Sequence, residues 1–169
     1  MRNSGLIDNQ TRKESNDNKY NVMFHSINIR KSRTVWNELG LFSTGSIFAV
    51  QEISVNERAR IQGINLYRNP KATAGIAIIG NMEAALISEL SSRVLACVLV
   101  NVSGKYVVFV SLYIECNVPP NLEPMQRVSD YAERHGYPLI IGSDTNSWSQ
   151  LWGYETSSNR GKACEDYLI

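Results

Sequence analysis

Short apolar runs separated by polar turns are the main pattern along this chain. Runs of this length that are rich in β-branched and aromatic residues predict strands. They lie at 21–28, 46–50, 64–67, 75–79, 94–102 and 106–113, and a last run starts at Leu139. Ser103 and Gly104 separate two of these runs and predict a hairpin between them.

Apolar positions at helical spacing predict a short helix over 34–41 and a longer one that starts at Asn121 and ends at His135. The longer helix has its apolar side chains on one face: Leu122, Met125, Val128 and Ala132. Another helix begins at Gly161. The resulting order of strand, helix, several strands, helix, strand and helix predicts a mixed, layered α/β domain rather than a regular βαβ repeat.

The composition is that of one ordinary globular domain. The chain has 169 residues, of which 43% are hydrophobic, and this is enough for a core. Residues 1–19 are polar and mixed in charge, so we expect a disordered tail there and a folded domain over 20–169. No apolar run reaches the ~20 residues of a membrane span, and the N-terminus has no signal-peptide pattern.

Charge and cysteine content bear on how the protein would bind nucleic acid and on the compartment in which it works. The formal net charge is +1, from 17 basic and 16 acidic residues, so binding to nucleic acid would depend on a local patch. Cys97, Cys116 and Cys164 lack paired spacing, which indicates a reducing compartment. Because His25 and His135 are the only histidines, a Cys/His zinc site is not expected. We expect an intracellular, soluble protein.

The stretch 138–153 contains the strongest chemical signal. Its apolar run, bounded by Pro138 and Gly142, predicts a buried strand. Asp144 and Asn146 follow where the chain leaves that strand, and alternation in an extended segment would point both side chains the same way. A carboxylate and a carboxamide aimed together suit a hydrated divalent cation and a phosphate oxygen.

Other polar residues also end apolar runs, namely Asn28, Glu52 and Tyr113. Ligand sites in layered α/β folds are built at strand ends. Glu52 would hold Mg²⁺, a hard cation that prefers carboxylate oxygen and water. Asn28 and Asn146 would orient water or phosphate, and Tyr113 would donate to the developing negative charge.

Each of these residues also has an ordinary structural interpretation. Strands end at polar residues because loops meet water, and Asp144 with Asn146 could close a turn through side-chain hydrogen bonds. Trp148 and Trp152 are expected as packing anchors rather than as base-stacking surfaces. His25 lies inside an apolar strand and is expected in the core. Residues and spacing alone predict a metal-dependent phosphoesterase.

Several short motifs occur in a set order. They are Ser26-Ile27-Asn28, Val50-Gln51-Glu52, Ser111-Leu112-Tyr113, Gly142-Ser143-Asp144-Thr145-Asn146, Leu151-Trp152-Gly153 and Asn159-Arg160-Gly161. This order resembles the endonuclease/exonuclease/phosphatase superfamily, most closely the apurinic/apyrimidinic-like endonuclease domain of non-LTR (LINE-type) retrotransposons. The resemblance implies a four-layer α/β/β/α sandwich of two mixed β-sheets flanked by helices. It also implies Mg²⁺-dependent nicking of DNA, leaving a 3′-hydroxyl that primes reverse transcription.

The resemblance also implies roles for single residues. Glu52 matches the metal-binding acid, and Asn28 matches an amide close to the metal and its water. Tyr113 matches a tyrosine that contacts the phosphate. Asp144 matches the acid that positions or deprotonates the attacking water, and Asn146 matches its partner amide. The cofactor would be Mg²⁺, with Mn²⁺ as a substitute.

Further expectations follow from the same resemblance. Lys71 and Arg160 are candidates for DNA contact. DNA would be the partner, a reverse transcriptase domain would accompany the endonuclease, and the domain would be a monomer in the nucleus without a membrane association.

This chain departs from the family pattern at two places. Ser147 and Trp148 stand where the family commonly has a small residue and then His. Family members also continue past the position of Ile169 through further strands, an Asp and a closing Ser-Asp-His. We therefore expect the final strands and the histidine that stabilises the phosphoryl group to be missing, and we expect little activity from such a fragment.

Three hypotheses remain open from the sequence. The first is a fragment of a retrotransposon endonuclease. The second is a cellular phosphoesterase of the same superfamily that acts on a small phosphoester, such as a phosphoinositide or a nucleotide. The third is an inactive remnant that binds DNA weakly, because its charge is near neutral.

Overall fold

Two four-stranded sheets lie face to face in the computed structural model, which describes residues 22–54 and 61–168. The first sheet has the order β1-β2-β4-β3 and consists of β1 (Met23–Asn28), β2 (Ser46–Gln51), β3 (Ile64–Tyr67) and β4 (Ala74–Ile79). The second has the order β5-β6-β7-β8 and consists of β5 (Ala84–Leu86), β6 (Leu95–Val102), β7 (Lys105–Tyr113) and β8 (Leu139–Asp144). The tail predicted over 1–19 lies outside the described residues.

Each sheet combines parallel and antiparallel pairs. Strand β1 runs parallel to β2, and β7 runs parallel to β8, whereas the other neighbouring strands are antiparallel. The hairpin between β6 and β7 is confirmed, and its two turn residues, Ser103 and Gly104, have φ of 51° and 82°. A two-residue hairpin turn of this kind requires positive φ at both positions.

Helices cover the outer face of each sheet. Helix α1 (Arg33–Glu38) continues into a short 3-10 turn and buries Trp36 and Leu39 against the first sheet. Helix α2 (Glu123–His135) buries Met125, Val128 and Ala132 against the second sheet, as its apolar face predicted. Helix α3 (Asn159–Leu168) lies beside it, with a hydrogen bond of 2.8 Å between the hydroxyls of Ser129 and Tyr167.

The core follows these layers. One apolar cluster lies between α1 and the first sheet, one between the two sheets, and one between the second sheet and α2. The four-layer α/β/β/α arrangement is therefore confirmed. His25 is half-buried and stacks on Phe48, with 4.7 Å between the ring centroids, so it packs at the margin of the core rather than inside it. No helix in the described part of the chain combines the length and apolar character needed to cross a membrane.

Three sequence predictions need correction. The β5 strand was missed because three residues are too few to show a periodic pattern. Helix α2 begins at Glu123 rather than at Asn121, although the Asn121 side chain does accept a hydrogen bond of 3.1 Å from the Glu123 N–H. The run after Pro138 is not fully buried, since Ile140 and Ile141 are 36% and 37% exposed. Strand β8 is the last strand of its sheet, so its apolar residues lie at an edge.

Candidate active site

The predicted site residues meet because of the two parallel strand pairs. Parallel strands end at the same edge of a sheet, so the carboxyl ends of β1 and β2 lie together, as do those of β7 and β8. Asn28 is opposite Gln51 in the first pair, and Tyr113 is opposite Asp144 in the second. The two pairs face each other across the sandwich, so four strand ends surround one point.

Asn28 joins the acids of the two sheets. Its Nδ2 donates to Glu52 Oε1 at 2.7 Å and to Asp144 Oδ2 at 2.6 Å. Its Oδ1 accepts from the Arg30 N–H at 2.9 Å, which fixes the orientation of the amide. One neutral amide therefore holds two carboxylates within a few ångströms of each other. In sequence, Glu52 and Asp144 are 92 positions apart.

Glu52 has an unusual backbone conformation. Its φ is 53°, which lies in a left-handed region of backbone conformation that residues other than glycine and asparagine rarely adopt. The Glu52 carbonyl accepts from the Lys31 N–H at 2.8 Å, and this bond ties the turn after β2 to the turn after β1. Such strain is found preferentially at ligand and active sites, where surrounding structure holds it in place.

Tyr113 contributes a neutral hydroxyl to the site. Burial raises the pKa of the Tyr113 phenol to about 12, and the Glu52 charge and a hydrogen bond to Glu52 act in the same direction. The phenol therefore remains protonated and can donate a hydrogen bond at any physiological pH.

Asn146 lies at the rim of the site. Its backbone N–H donates to Asp144 Oδ1 at 3.1 Å, and its Nδ2 donates to the Ile114 carbonyl at 3.0 Å. Its φ of 49° is again left-handed, a conformation that asparagine tolerates. The turn that was the ordinary interpretation of Asp144 and Asn146 is thus present, and it also fixes the orientation of the Asp144 carboxylate.

Two clefts flank these residues. The first, of about 380 Å³, is lined by Asn28, Asp144 and Asn146 and by the aromatic side chains Trp148, Trp152 and Tyr154. The second, of about 610 Å³, is lined by Glu52 and Tyr113 together with Lys31, Thr73, Arg93 and Glu115. The site therefore lies between an aromatic cleft and a second cleft whose lining includes two basic and two acidic side chains.

Neither predicted DNA-contact residue lines these clefts. Lys71 is exposed in the turn between β3 and β4. The Arg160 guanidinium donates to three backbone carbonyls: those of Thr145 at 3.3 Å, of Cys116 at 2.9 Å and of Val118. Arg160 thus ties α3 to the loop that follows Asp144, and its contact with DNA stays a prediction, as does that of Lys71.

The sequence did not reveal the support beneath the site. Gln51 is 1% exposed, and its Nε2 lies 3.3 Å from the hydroxyls of Ser26 and Ser111 and 3.4 Å from the Gly142 carbonyl. These groups come from both sheets, directly below Asn28 and Asp144. In the sequence Gln51 stands out only as part of the motif Val50-Gln51-Glu52, and the signal that could have identified it is a polar amide directly between an apolar run and an acid.

The carboxylates of the site are the groups that would hold a divalent cation. Within residues 22–54 and 61–168, no group of three or more His, Cys, Asp or Glu side chains is placed to hold a metal. The site offers instead two carboxylates, Glu52 and Asp144, brought together by Asn28. Since Mg²⁺ is usually bound by one or two carboxylates and keeps several waters, this all-oxygen donor set suits it.

Comparison with known proteins supports the fold. No protein-family model and no curated protein sequence matches the chain. Ten chains of solved structures do match, and one of them is the endonuclease domain of TRAS1, a telomere-specific non-LTR retrotransposon. The two structures superpose with a TM-score of 0.68 over 85% of this chain and 69% of the other, at 20% sequence identity. This similarity shows that the chain has the fold of that endonuclease domain.

Proposed function

We propose that this domain, which shares its fold with a retrotransposon endonuclease domain, is a Mg²⁺-dependent endonuclease that nicks DNA. The observation that carries the proposal is the Asn28 amide, which donates to Glu52 at 2.7 Å and to Asp144 at 2.6 Å across the two sheets. Hydrolysis of a phosphodiester is accelerated by a cation that polarises the phosphoryl group and by a base that takes a proton from the attacking water. Glu52 and Asp144 are the groups that would serve these two roles, beside the neutral hydroxyl of Tyr113.

Each side chain then has a separate role in the proposed reaction. Asp144, held by Asn28 and by the Asn146 N–H, orients the attacking water and accepts its proton. The oxygen of that water bonds to phosphorus while the bond from phosphorus to O3′ breaks. The O3′ takes a proton from solvent and becomes the 3′-hydroxyl. Tyr113 donates to a non-bridging oxygen as negative charge develops there.

Glu52 would hold the Mg²⁺ ion. When bound, the ion supplies Lewis-acid polarisation of the phosphoryl oxygen and stabilises the leaving oxygen. The bond from Asn28 keeps the Glu52 carboxylate turned toward Asp144, so that cation and water would be adjacent. We also propose DNA as the partner, a nuclear location and an accompanying reverse transcriptase, as the family resemblance implies.

A plasmid-nicking assay tests the proposal. We expect the chain to convert supercoiled plasmid to open circles slowly in Mg²⁺, in line with the low activity predicted from its sequence, and to stop when EDTA is added. A DNA polymerase should extend the nicks because they end in 3′-hydroxyls. Glu52→Gln and Asp144→Asn should each lower the rate by about 10²–10⁴-fold. Glu133→Gln on the exposed side of α2 serves as the control for loss of one carboxylate.

A second readout separates metal binding from cutting. Titration with Mn²⁺, which is detectable by electron paramagnetic resonance, should show one site that Glu52→Gln weakens and Glu133→Gln does not. If Mn²⁺ binds there and plasmid DNA is left intact while inositol phosphates or nucleotides are hydrolysed, DNA is not the substrate. If neither cation binding nor hydrolysis depends on Glu52 and Asp144, the proposed function is wrong.

A further inference from the structure

A group of large apolar side chains is exposed beside the site. Trp148 and Leu151 are both 60% exposed, Tyr154 is 51% exposed and Trp152 is 38% exposed. The rings of Trp148 and Tyr154 are stacked, with 6.2 Å between their centroids and 15° between their planes. The prediction that Trp148 is a packing anchor is therefore wrong. Trp152 does act as an anchor, since its Nε1 donates to the Ser147 carbonyl at 3.1 Å.

The backbone that carries Trp148 is fixed on both sides. Its N–H donates to Ser158 Oγ at 3.3 Å, and its carbonyl accepts from the Ser158 N–H at 2.9 Å. Gly161 lies so close to this carbonyl that a Cβ at position 161 would overlap it. The loop is further held by Ser149, which donates to the Glu165 carboxylate of α3. An exposed indole on a backbone held this firmly is presented to solvent in a set orientation.

The chemistry of the two clefts indicates which part of a nucleic acid each would take. In the aromatic cleft, the lining side chains are aromatic, amide or hydroxyl groups, apart from the Asp144 carboxylate, and none is basic. A phosphate would gain no opposite charge there, whereas a flat base with polar edges would gain both stacking and hydrogen bonds. The second cleft contains two basic side chains, Lys31 and Arg93, of which Arg93 is paired with Glu115 at 2.6 Å, so Lys31 is the group that would contact the phosphate backbone there.

We propose that Trp148, backed by Tyr154, stacks an unpaired nucleobase next to the phosphate that is cut. A base paired inside a duplex is stacked on its neighbours, so its face cannot reach a side chain in this cleft. The substrate class is therefore DNA whose bases beside the cut can leave the stack, as in a single strand, at a junction with a duplex, or in the underwound duplex of a supercoiled plasmid. This inference rests on the proposed endonuclease function for the identity of the polymer and for the position of the cut.

Binding of oligonucleotides without cleavage tests the stacking directly. The whole chain is titrated, with Ca²⁺ replacing Mg²⁺, against a fluorescein-labelled single strand, the same strand with abasic positions, and the corresponding duplex. We expect the single strand to bind best and to quench tryptophan emission, and the abasic strand to bind roughly 5- to 100-fold more weakly. The quenching should fall sharply in Trp148→Phe, because Trp36 is buried and Trp152, although it lines the same cleft, is less exposed than Trp148.

Three variants distinguish stacking from a general apolar contact. Trp148→Ala should weaken binding of the single strand roughly 5- to 100-fold and leave binding of the abasic strand unchanged. Trp148→Phe should keep most of the affinity, because a phenyl ring still stacks. Leu151→Ala is the matched control, since Leu151 is as exposed as Trp148 but does not line the cleft. Circular dichroism and thermal melting establish that each variant is folded.

Several results would overturn the inference. They are equal affinity for normal and abasic strands, tighter binding of the duplex than of the single strand, or a loss in Leu151→Ala equal to that in Trp148→Ala. Failure of the endonuclease proposal is a different outcome. It would appear as base-dependent binding without metal-dependent nicking. Glu52→Gln provides the complementary check, because it should lower nicking by about 10²–10⁴-fold and retain the base-dependent quenching, since Glu52 does not line the aromatic cleft.

Discussion

Replacing Gly142 by alanine should separate the two sheets directly beneath the site. A methyl group at position 142 would lie 2.9 Å from Ser26 Oγ and 3.0 Å from Ser26 Cβ, and closer still to the Cβ of Ala49. Because carbon atoms pack at about 3.5–4.0 Å, strand β8 would have to move from β1 and β2 by roughly 1 Å. The bond of 2.6 Å between Asn28 and Asp144 would then exceed the ~3.2 Å range of such bonds.

Two magnitudes follow from this displacement. Overpacking of this kind costs about 1–3 kcal/mol of unfolding free energy, which lowers Tm by roughly 3–10 °C for a domain of this size. A shift of ~1 Å between catalytic groups lowers a reaction rate by about 10²-fold. Disturbing the groups that hydrogen-bond to metal ligands lowers the affinity for the metal by roughly 10- to 100-fold. Gly142→Ala should therefore show a modest loss of stability and a larger loss of function.

Calorimetry, the Mn²⁺ titration and plasmid nicking would measure these effects. Gly40→Ala is the matched control, because a Cβ at position 40 meets only Ile61 Cγ2 at 3.4 Å, an ordinary contact. Adding Ala49→Gly to Gly142→Ala removes the worst overlap and should restore part of both losses. If Gly142→Ala melts like Gly40→Ala and binds Mn²⁺ with unchanged affinity, the spacing of the sheets does not control the site.

Other parts of the structure yield three more predictions. Gln51→Leu leaves buried acceptors without their donor, so urea unfolding should show a loss of about 1–3 kcal/mol, and an unchanged midpoint would contradict this role. Gly161→Ala forces the Trp148 carbonyl away from α3, so we expect a similar loss of unfolding free energy and a change in tryptophan emission. Unchanged emission would contradict this contact. Burial raises the Cys97 pKa from 9.0 to about 12, so at pH 8 it has about a thousandfold less thiolate than an ordinary cysteine. Iodoacetamide at pH 8 should modify the exposed Cys116 first and reach Cys97 only near pH 12 or after unfolding, as mass spectrometry of the peptides would show.

The strand ends were predictable because their signal is local. An apolar run must stop where the chain meets water, so Asn28, Glu52, Tyr113 and Asp144 stood out as polar residues at those stops. The hairpin at 103–104 was equally local, since its turn chemistry lies within two residues. The resemblance to a known family then supplied the order of the layers, which the superposition with an endonuclease domain supports at the level of fold.

Other features depended on contacts between residues remote in sequence. Nothing near Gln51 shows that its amide reaches Ser111 and Gly142 on the other sheet. The exposure of Ile141 depends on the place of β8 at the end of its sheet. The outward position of Trp148 depends on Ser158, which holds its backbone from the loop before α3. The hydrophobic pattern cannot predict these contacts and exposures, because it reflects whether each residue prefers to be buried and does not identify the residues that it contacts.

When the side chains of a site come from two sheets, the distances between them are constant only if the sheets are held at one spacing. Side chains two residues apart on a strand face the same way, so the residue two before each site residue lies directly beneath it. Ser26 precedes Asn28 in this sense, Ser111 precedes Tyr113, and Gly142 precedes Asp144. Gln51 bonds to the first two through their hydroxyls and to the third through its carbonyl. A single buried amide thus touches the support of three site residues, and Gly142 sets how closely the strands that carry them approach.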